Sequence, residues 1–319
     1  MLTIRKAKAE DFEEILELLK LFNNKAIDKE QWKRLFIPAC KKLNNDFFGV
    51  ALVDDDKIVG FFSGILSQRE VNSKIYKICN LSSLIVHPDY RKGKRGLSLV
   101  TAIMDFEDYH FQALSAVKHT ISYYVDNFGY KVNNSKYNTI LAIPAIKSFF
   151  PQLVTINNDK IRNYLNKADC EIYNDHQLPD IFHVLYKYNN EYVYCIIKPT
   201  LYSSYILNSS FLFRIFTKAW FKIFRKDFFK SKIKLGLVHY TNNSKLFSES
   251  ISSFVFLICR RINVMGLSVN DKLLKGKTFF AIKNNINCSG LYKSDELKQE
   301  DFDTLYSELT LLTLNHFQL

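Results

Sequence analysis

Hydrophobic residues in the first 145 positions follow two different periods, and the two alternate along the chain. Apolar runs and two-residue alternation predict strands over 2–5, 47–53, 58–67, 76–86, 111–114 and 138–145. Three- and four-residue spacing predicts helices over 11–22, 29–42, 96–109 and 117–127. Pro38 should kink or break the second helix, and Gly129 should end the last one in a left-handed cap. This order predicts an α/β fold built on a mixed sheet.

Beyond Pro151 the hydrophobic pattern again predicts both strands and helices. Strands are predicted over 171–173, 192–198, 234–239, 266–269 and 278–282, and helices over 246–264 and 301–314. Residues 156–170 are polar, which is typical of a connection or of a first helix. We therefore expect two domains, residues 1–150 and residues 151–319.

Composition supports folded domains and suggests their compartment. Hydrophobic residues make up 47% of the chain, with 27 Phe and 18 Tyr, which is ample for packed cores. The six cysteines form no Cys-x-x-Cys pair, so we expect reduced thiols. The first residues do not resemble a signal peptide, and apolar runs stay shorter than the roughly 18 residues of a membrane span. A cytoplasmic protein is expected.

The net charge of +12 favours anionic partners. Phosphorylated cofactors, an acidic membrane face and nucleic acid would each satisfy it. The chain contains no recognised nucleic-acid motif, so nucleic acid is the least favoured of the three. A steep loss of binding with salt would be its distinguishing property.

The segment from Asn80 to Ser98 has the pattern of a phosphate cradle. An apolar strand leads into a Pro-marked turn, then into a basic glycine loop, then into an apolar helix. Loop N–H groups and the positive end of the helix dipole can converge there on an anion. Gly93 and Gly96 let the backbone approach a ligand because no Cβ intervenes. The alternative is a solvated basic turn.

The same segment resembles a known family. Val86-His-Pro-Asp-Tyr-Arg91 and the loop after it are similar to the acetyl-CoA-binding motif of the GNAT acyltransferase superfamily. That motif reads Gln or Arg, two residues, Gly, one residue, then Gly or Ala. Arg91 and Gly96 fit it, whereas Lys94 replaces the middle glycine and Gly93 lies one place early. Phe128-Gly-Tyr130 is similar to the Gly-Phe that follows the last helix in that superfamily, so the resemblance covers residues 1–150.

The resemblance implies a site for acetyl-CoA as co-substrate. In that superfamily the pantetheine arm inserts between two splayed strands, which assigns the backbone of Leu84, Ile85 and Val86 to it. The pyrophosphate would be held by the loop and first helical turn: Arg91, Lys92, Gly93, Lys94, Arg95, Gly96, Leu97 and Ser98. The histidines show no metal-ligand spacing, so no metal is expected.

The resemblance also implies catalytic positions. A tyrosine that protonates the leaving thiolate often lies four residues before the Gly-Phe glycine, where this chain has Val125. Tyr124 would serve through a one-residue shift, and water is the alternative.

A carboxylate base is often found where this chain has Asn80. Asn80 and Ser82 share one strand face, with Ser83 opposite, and they would bind the acceptor or the acyl carbonyl; the alternative is polar packing within a sheet. His87 is expected to hydrogen-bond in its turn.

The second half leaves two interpretations open: a degenerate GNAT-like domain without its own phosphate loop, or an unrelated α+β cap. Within it, Phe211–Lys234 combines an aromatic stripe with basic residues, which predicts either peripheral contact with an anionic membrane or packing within its own domain. The Asn80–Ser83 and Leu305–Leu309 segments resemble long bacterial acyltransferase-like proteins of surface-polysaccharide clusters. That resemblance implies a saccharide acceptor.

Together these features predict an acyl-CoA-dependent acyltransferase. Its acceptor would be an amino or hydroxyl group of a sugar nucleotide, of a lipid-linked saccharide or of another small molecule. The alternative is a non-catalytic GNAT-like protein that binds acyl-CoA or a partner, in which Lys94 and Val125 mark weakened chemistry.

Overall fold

The computed structural model describes residues 1–142, 154–156, 158–188, 190–203, 232–275 and 281–313. Its strands are β1 (Leu2–Lys6), β2 (Gly49–Asp54), β3 (Lys57–Val71), β4 (Lys74–Val86), β5 (Tyr109–Ala113), β6 (Lys131–Leu141), β7 (Val154–Thr155), β8 (Phe182–Tyr188), β9 (Glu191–Ser203), β10 (Lys232–Thr241), β11 (Gly266–Asn270) and β12 (Ala281–Lys293). Its helices are α1 (Phe12–Lys20), α2 (Lys29–Lys33), α3 (Arg95–Met104), α4 (Lys118–Phe128), α5 (Asn158–Arg162), α6 (Lys167–Asp175), α7 (Ser244–Arg261) and α8 (Glu308–Leu311).

The chain forms two compact units. The first consists of Met1–Asn133 together with Ser289–Leu314, and the second lies within Asn134–Cys288. The sequence pattern predicts one boundary, at residue 150, which places 289–314 in the second half. The structure instead pairs the end of β12 with β5, Leu291 lying opposite Ala113. Such pairing between distant residues leaves no trace in the local pattern of either segment.

The first unit is a mixed sheet covered by helices. Strands β1, β2, β3 and β4 pair antiparallel in succession, β4 pairs parallel with β5, and β5 pairs antiparallel with β12. Helix α3 makes the crossover that a parallel pair requires. Its buried residues Leu99, Val100 and Ile103 pack on the sheet, as the helical spacing predicts.

The second unit repeats this order of elements. Strands β7, β8, β9 and β10 pair antiparallel in succession, helix α7 follows, and β11 then pairs parallel with β10. Strand β6 pairs antiparallel with β11. This strand and helix order is the one expected of a second half built like the first.

The second unit has no basic glycine loop between β10 and α7. Only Asn242 and Asn243 lie there. Asn243 Oδ1 accepts the backbone N–H of Leu246 at 3.0 Å and so caps α7. Asn242 Oδ1 accepts the N–H of Tyr194 at 3.0 Å. These bonds occupy the place where the first unit has its candidate phosphate loop.

Several predicted elements are corrected by the structure. The helix predicted over 96–109 ends at Met104, because β5 begins at Tyr109. The strand predicted over 171–173 is wrong, since these residues lie in α6 and Tyr173 is buried on its inner face. The helix predicted over 301–314 is also wrong except for α8, because Asp303 Oδ1 accepts the N–H of Leu305 and local bonds replace the helix. Strand β8 was not predicted.

Other predicted elements agree. Helix α1 buries Ile15, Leu18 and Leu19, and Gly129 ends α4 with φ at +68°. The chain after α2 becomes extended at Ile37, just before Pro38. The predicted strand over 138–145 begins earlier, at Lys131, and its last residues lie outside the described ranges.

The segment Phe211–Lys234 lies outside the described residues up to 231, so its predicted helix carries no structural description. Within the described ranges, no helix has the length and apolarity needed to cross a bilayer. Cys40, Cys79, Cys170, Cys195 and Cys259 are free thiols.

The C-terminal segment is bonded into the first unit at several points. The Arg69 guanidinium makes a bidentate pair with the Asp303 carboxylate. Phe302 is 1% exposed and packs with Ile78 and Leu297. Arg34 donates to the Leu311 carbonyl at 2.9 Å. The first unit therefore contains its last residues as part of its core.

We predict that Phe302→Ala destabilises the first unit by about 3–5 kcal/mol, because it leaves a cavity under β4. Ile75→Ala, at a side chain 64% exposed on the same strand, should cost less than about 0.5 kcal/mol. Urea unfolding followed by the fluorescence of Trp32, which is buried in this unit, measures both. Equal midpoints for the two variants would contradict the assignment of 289–314 to this core.

The second unit should lose stability as the pH falls. Burial lowers the pKa of His183 to about 4, against the opposing effect of its hydrogen bond to the His176 carbonyl. The unfolded chain then binds more protons between pH 6.5 and 4, so stability declines over that window by at most about 3 kcal/mol. Urea unfolding at pH 7 and pH 4.5 measures the decline, and His183→Gln should show a smaller one. An unchanged difference in the variant would refute the role of His183.

Candidate functional site

A bulge interrupts β4 in the middle of the first unit. Phe61 lies opposite Ile85, whereas Ser63 lies opposite Ser82, so two residues of β4 face one residue of β3. Ser83 adopts a φ of +55° within this bulge. A residue with a side chain rarely adopts such a φ, and the bulge bends the strand.

The same half of β4 extends beyond its parallel neighbour. The β4–β5 ladder runs from Lys77 opposite Tyr109 to Asn80 opposite Gln112. Strand β4 continues to Val86, so Leu84, Ile85 and Val86 lie beyond the end of the ladder. The three residues that the resemblance assigns to pantetheine binding therefore lie in the part of β4 that no longer pairs with β5.

A cavity of about 500 Å³ lies where the two strands separate. Its walls come from β4, from the end of β5 with the start of α4, from the α1–α2 region and from the C-terminal segment. The lining is largely apolar, with hydroxyl and amide groups at intervals: Phe22, Asn24, Ile27, Trp32, Phe62, Leu81, Ser82, Ser83, Leu84, Ala113, Ser115, Ala116, Val117, Thr120, Tyr124, Leu291 and Leu312. A volume of this size is typical of small-molecule sites, which span about 300–1,000 Å³.

The basic loop follows β4 after a short turn at Pro88–Tyr90. Gly93 and Lys94 both adopt positive φ, +73° and +59°. Lys94 therefore keeps the left-handed conformation that a glycine would adopt easily, at a cost of roughly 1–2 kcal/mol. The residue that departs from the GNAT motif thus takes up a backbone conformation that glycine prefers.

Helix α3 presents its N-terminus to the loop. The N–H of Ser98 donates to the Lys94 carbonyl at 3.1 Å, as the first regular helical bond. The preceding N–H groups, those of Arg95, Gly96 and Leu97, belong to the turn that has no intrahelical acceptors. A Cβ built on Gly96 would meet no atom within 4 Å. The arrangement suits an anion at the positive end of the helix.

Some basic side chains of the loop are exposed, and one is hydrogen-bonded to the backbone. Lys92 and Lys94 are exposed. Arg91 Nε donates to the Val86 carbonyl at 3.1 Å and so braces the turn. His87 Nδ1 accepts the Asp89 N–H at 3.4 Å, which confirms the predicted turn hydrogen bond.

Of the two neighbouring tyrosines Tyr123 and Tyr124, it is Tyr124 that lines the cavity. It is 5% exposed, whereas Tyr123 is 42% exposed and Val125 packs against the core. Its ring lies 5.2 Å from that of Tyr130 between centroids, which fixes its orientation. Burial, with a smaller contribution from Tyr123, raises the pKa of the Tyr124 phenol well above its ordinary value. The Tyr124 phenol is therefore uncharged at neutral pH.

The polar residues of β4 separate into two groups. Ser82 and Ser83 line the cavity, and their hydroxyls lie 3.1 Å apart. Asn80 is fully buried, and its Nδ2 donates to Oε2 of Glu308. The structure therefore brings Ser82, Ser83 and Tyr124 together around the cavity, while Asn80 lies behind its wall against α8.

Glu308 is the residue that sequence reasoning missed. It is fully buried, and burial raises the pKa of its carboxyl group, although hydrogen bonding to Ser115 and Asn80 opposes this. A signal was present: Glu308 is the only acidic residue in the apolar stretch from residue 304 to the C-terminus. Acids rarely occur singly in a buried stretch without a partner. No cluster of three potential metal ligands occurs in the described part of the chain.

Comparisons with known proteins identify the fold. No protein-family model and no curated protein matches the sequence. Among solved structures, the chain is similar to a GCN5-related N-acetyltransferase from Anabaena variabilis, with 11% identity, a TM-score of 0.53 and coverage of 92% of this chain and 72% of that one. It is similarly related to a GCN5-related N-acetyltransferase from Kribbella flavida, with 10% identity, a TM-score of 0.53 and coverage of 92% and 70%. The protein therefore has a GNAT-like fold.

The bulge should tolerate glycine better than a branched residue. We predict that Ser83→Gly leaves stability unchanged or slightly raised, whereas Ser83→Val lowers it by about 1–2 kcal/mol, because a β-branched side chain is strained at positive φ. Urea midpoints of the two variants give the comparison. Equal midpoints would indicate that β4 does not hold Ser83 in this conformation.

Proposed function

We propose that the first unit binds acyl-CoA and transfers its acyl group to an amine or hydroxyl. Acetyl-CoA is the donor suggested by the motif. The observation that carries the proposal is the gap between β4 and β5, with a cavity where the two strands separate and a basic loop and helix N-terminus after the end of β4. The pantetheine arm of acyl-CoA would hydrogen-bond to β4 as an added strand, and its pyrophosphate would lie on Gly93–Ser98.

The proposed chemistry uses groups already positioned around the cavity. The acceptor attacks the thioester carbon, and backbone N–H groups of β4 would stabilise the developing oxyanion. The neutral phenol of Tyr124 would protonate the departing thiolate. Ser82 and Ser83 would orient the acyl carbonyl or the acceptor, which is the role proposed for them from the sequence.

The lining bears on the acceptor. Its polar side chains are hydroxyls and one amide, and the lining among the described residues includes no charged side chain. Such walls suit a neutral part of a substrate, such as a sugar hydroxyl or an apolar chain. We therefore propose sugar nucleotides and lipid-linked saccharides as the first acceptors to test, together with simple apolar amines.

One observation favours the non-catalytic alternative, in which the unit binds acyl-CoA or a partner without turnover. The strand position that often carries a base holds Asn80, an amide that cannot accept a proton at neutral pH. Saturable acyl-CoA binding without CoA release, over a broad set of acceptors, would support this alternative.

Calorimetric titration of acetyl-CoA into the purified protein tests the donor site. We expect saturable binding with a dissociation constant between about 1 µM and 1 mM, the range usual for enzyme substrates. Gly96→Glu should weaken binding at least tenfold, because a carboxylate would lie where the pyrophosphate binds. The open space around Gly96 should let this variant fold.

Thr101→Glu is the matched control. It adds the same charge to an exposed position of the same helix, beyond its first turn. Binding should stay within about threefold of the original protein. Equal weakening in both variants would attribute the effect to overall charge, and no binding by the original protein would refute the proposed donor.

A further inference from the structure

Glu308 is fully buried, yet its carboxyl group is only partly satisfied. Oε2 accepts a hydrogen bond from Asn80 Nδ2. Oε1 of Glu308 and Oδ1 of Asn80 are both buried without a partner at hydrogen-bond geometry among the described residues. An acceptor atom left unpaired inside a protein costs about 1–3 kcal/mol, and more when it is charged. Stability alone therefore does not account for a carboxyl group here.

One residue connects this carboxyl group to the cavity. Ser115 is exposed and lines the cavity wall. Its hydroxyl and its backbone N–H lie close enough to the Glu308 carboxyl to favour the charged form. The Glu308 Oε1 atom has no partner at full hydrogen-bond geometry among the described residues. A single hydroxyl thus separates a buried proton acceptor from the proposed reaction site.

Resting on the acyltransferase function proposed above, we propose that Glu308 accepts the proton of the attacking nucleophile through the Ser115 hydroxyl. Ser115 would touch the acceptor, and Glu308 acts behind it. The C-terminal segment would in this way supply the carboxylate that β4 lacks at Asn80.

The proton balance of this step closes. As the acceptor nitrogen or oxygen forms its bond to the thioester carbon, its proton passes to Ser115 Oγ and the Ser115 proton passes to the Glu308 carboxylate. The carbon–sulfur bond breaks, and the thiolate takes the proton of Tyr124. The proton on Glu308 then returns to Tyr124 through solvent, so acyl-CoA and acceptor become acylated acceptor and free CoA.

The surroundings suit a proton acceptor. Burial raises the pKa of the Glu308 carboxyl, which brings it closer to neutral pH, where a base is most effective. The groups that act on it most strongly after burial are the neutral Ser115 and Asn80. Charged or titratable groups on the elements packed nearby are the Arg69–Asp303 pair, Arg34 at the Leu311 carbonyl, and Tyr124 in the cavity wall.

The test compares CoA release by the full-length protein and its variants. Acetyl-CoA and octanoyl-CoA serve as donors, and water and benzylamine serve as acceptors, so no natural acceptor is needed. Glu308→Gln should lower kcat at least about 100-fold while acyl-CoA binding, measured by calorimetry, stays within twofold. With water as the acceptor, the rise of the rate with pH should disappear in this variant.

A second variant separates chemistry from structure. Asn80→Asp combined with Glu308→Gln exchanges the carboxyl and amide of the buried pair, and we expect it to recover at least tenfold of the lost rate. Ser115→Ala should lower the rate both in the original protein and in the variant with the exchanged pair. Asp169→Asn, at a buried carboxyl of the second unit, is the control and should stay within twofold of the original rate.

The outcomes are distinguishable. A folded Glu308→Gln protein that keeps both its rate and its pH profile would overturn the role of Glu308 and leave the acyltransferase function intact. An original protein that binds acyl-CoA but releases no CoA would overturn both the catalytic function and the role of Glu308. An original protein that binds neither donor would refute the donor site itself.

Discussion

The parallel pairing of β4 with β5 ends at Asn80, and the candidate site depends on that termination. Backbone N–H and C=O groups seek partners wherever they are shielded from water. Where β4 continues to Val86 paired only with β3, its backbone groups on the β5 side have no partner strand among the described residues. The bulge at Ser83 bends β4 just beyond the end of this pairing. Strand β12 pairs with the edge of β5 that faces away from β4. The gap is therefore part of the sheet's own hydrogen-bond pattern.

The C-terminal segment adds a second constraint to this site. It places Leu291 and Leu312 in the cavity wall and Glu308 behind it. A carboxyl group in the interior is costly unless its oxygens are bonded, so its surroundings must favour one protonation state. Asn80 and Ser115 bond it only in part, and burial raises the pKa of this carboxyl group.

Comparison of the two units separates fold from site. Both follow an antiparallel run of strands with a helix and a parallel strand. The first connects strand to helix through Gly93 and Lys94 at positive φ, whereas the second uses Asn243, whose side chain caps α7. An occupied cap leaves fewer N–H groups for an anion. The two units thus share an order of strands and helices, but among the described residues only the first has a candidate phosphate site.

Local features of the sequence were sufficient for most strands, for α1, α3, α4 and α7, for the glycine cap at Gly129 and for the basic loop. Hydrophobic period and turn chemistry are properties of neighbouring residues, so they can be read without the fold. The pairing of β12 with β5, the short α8 and the contact of Asn80 with Glu308 join residues far apart in the chain. Local pattern holds no information on such pairs, because they form only when distant segments bury each other. The tertiary structure alone therefore determined where the carboxyl group lies.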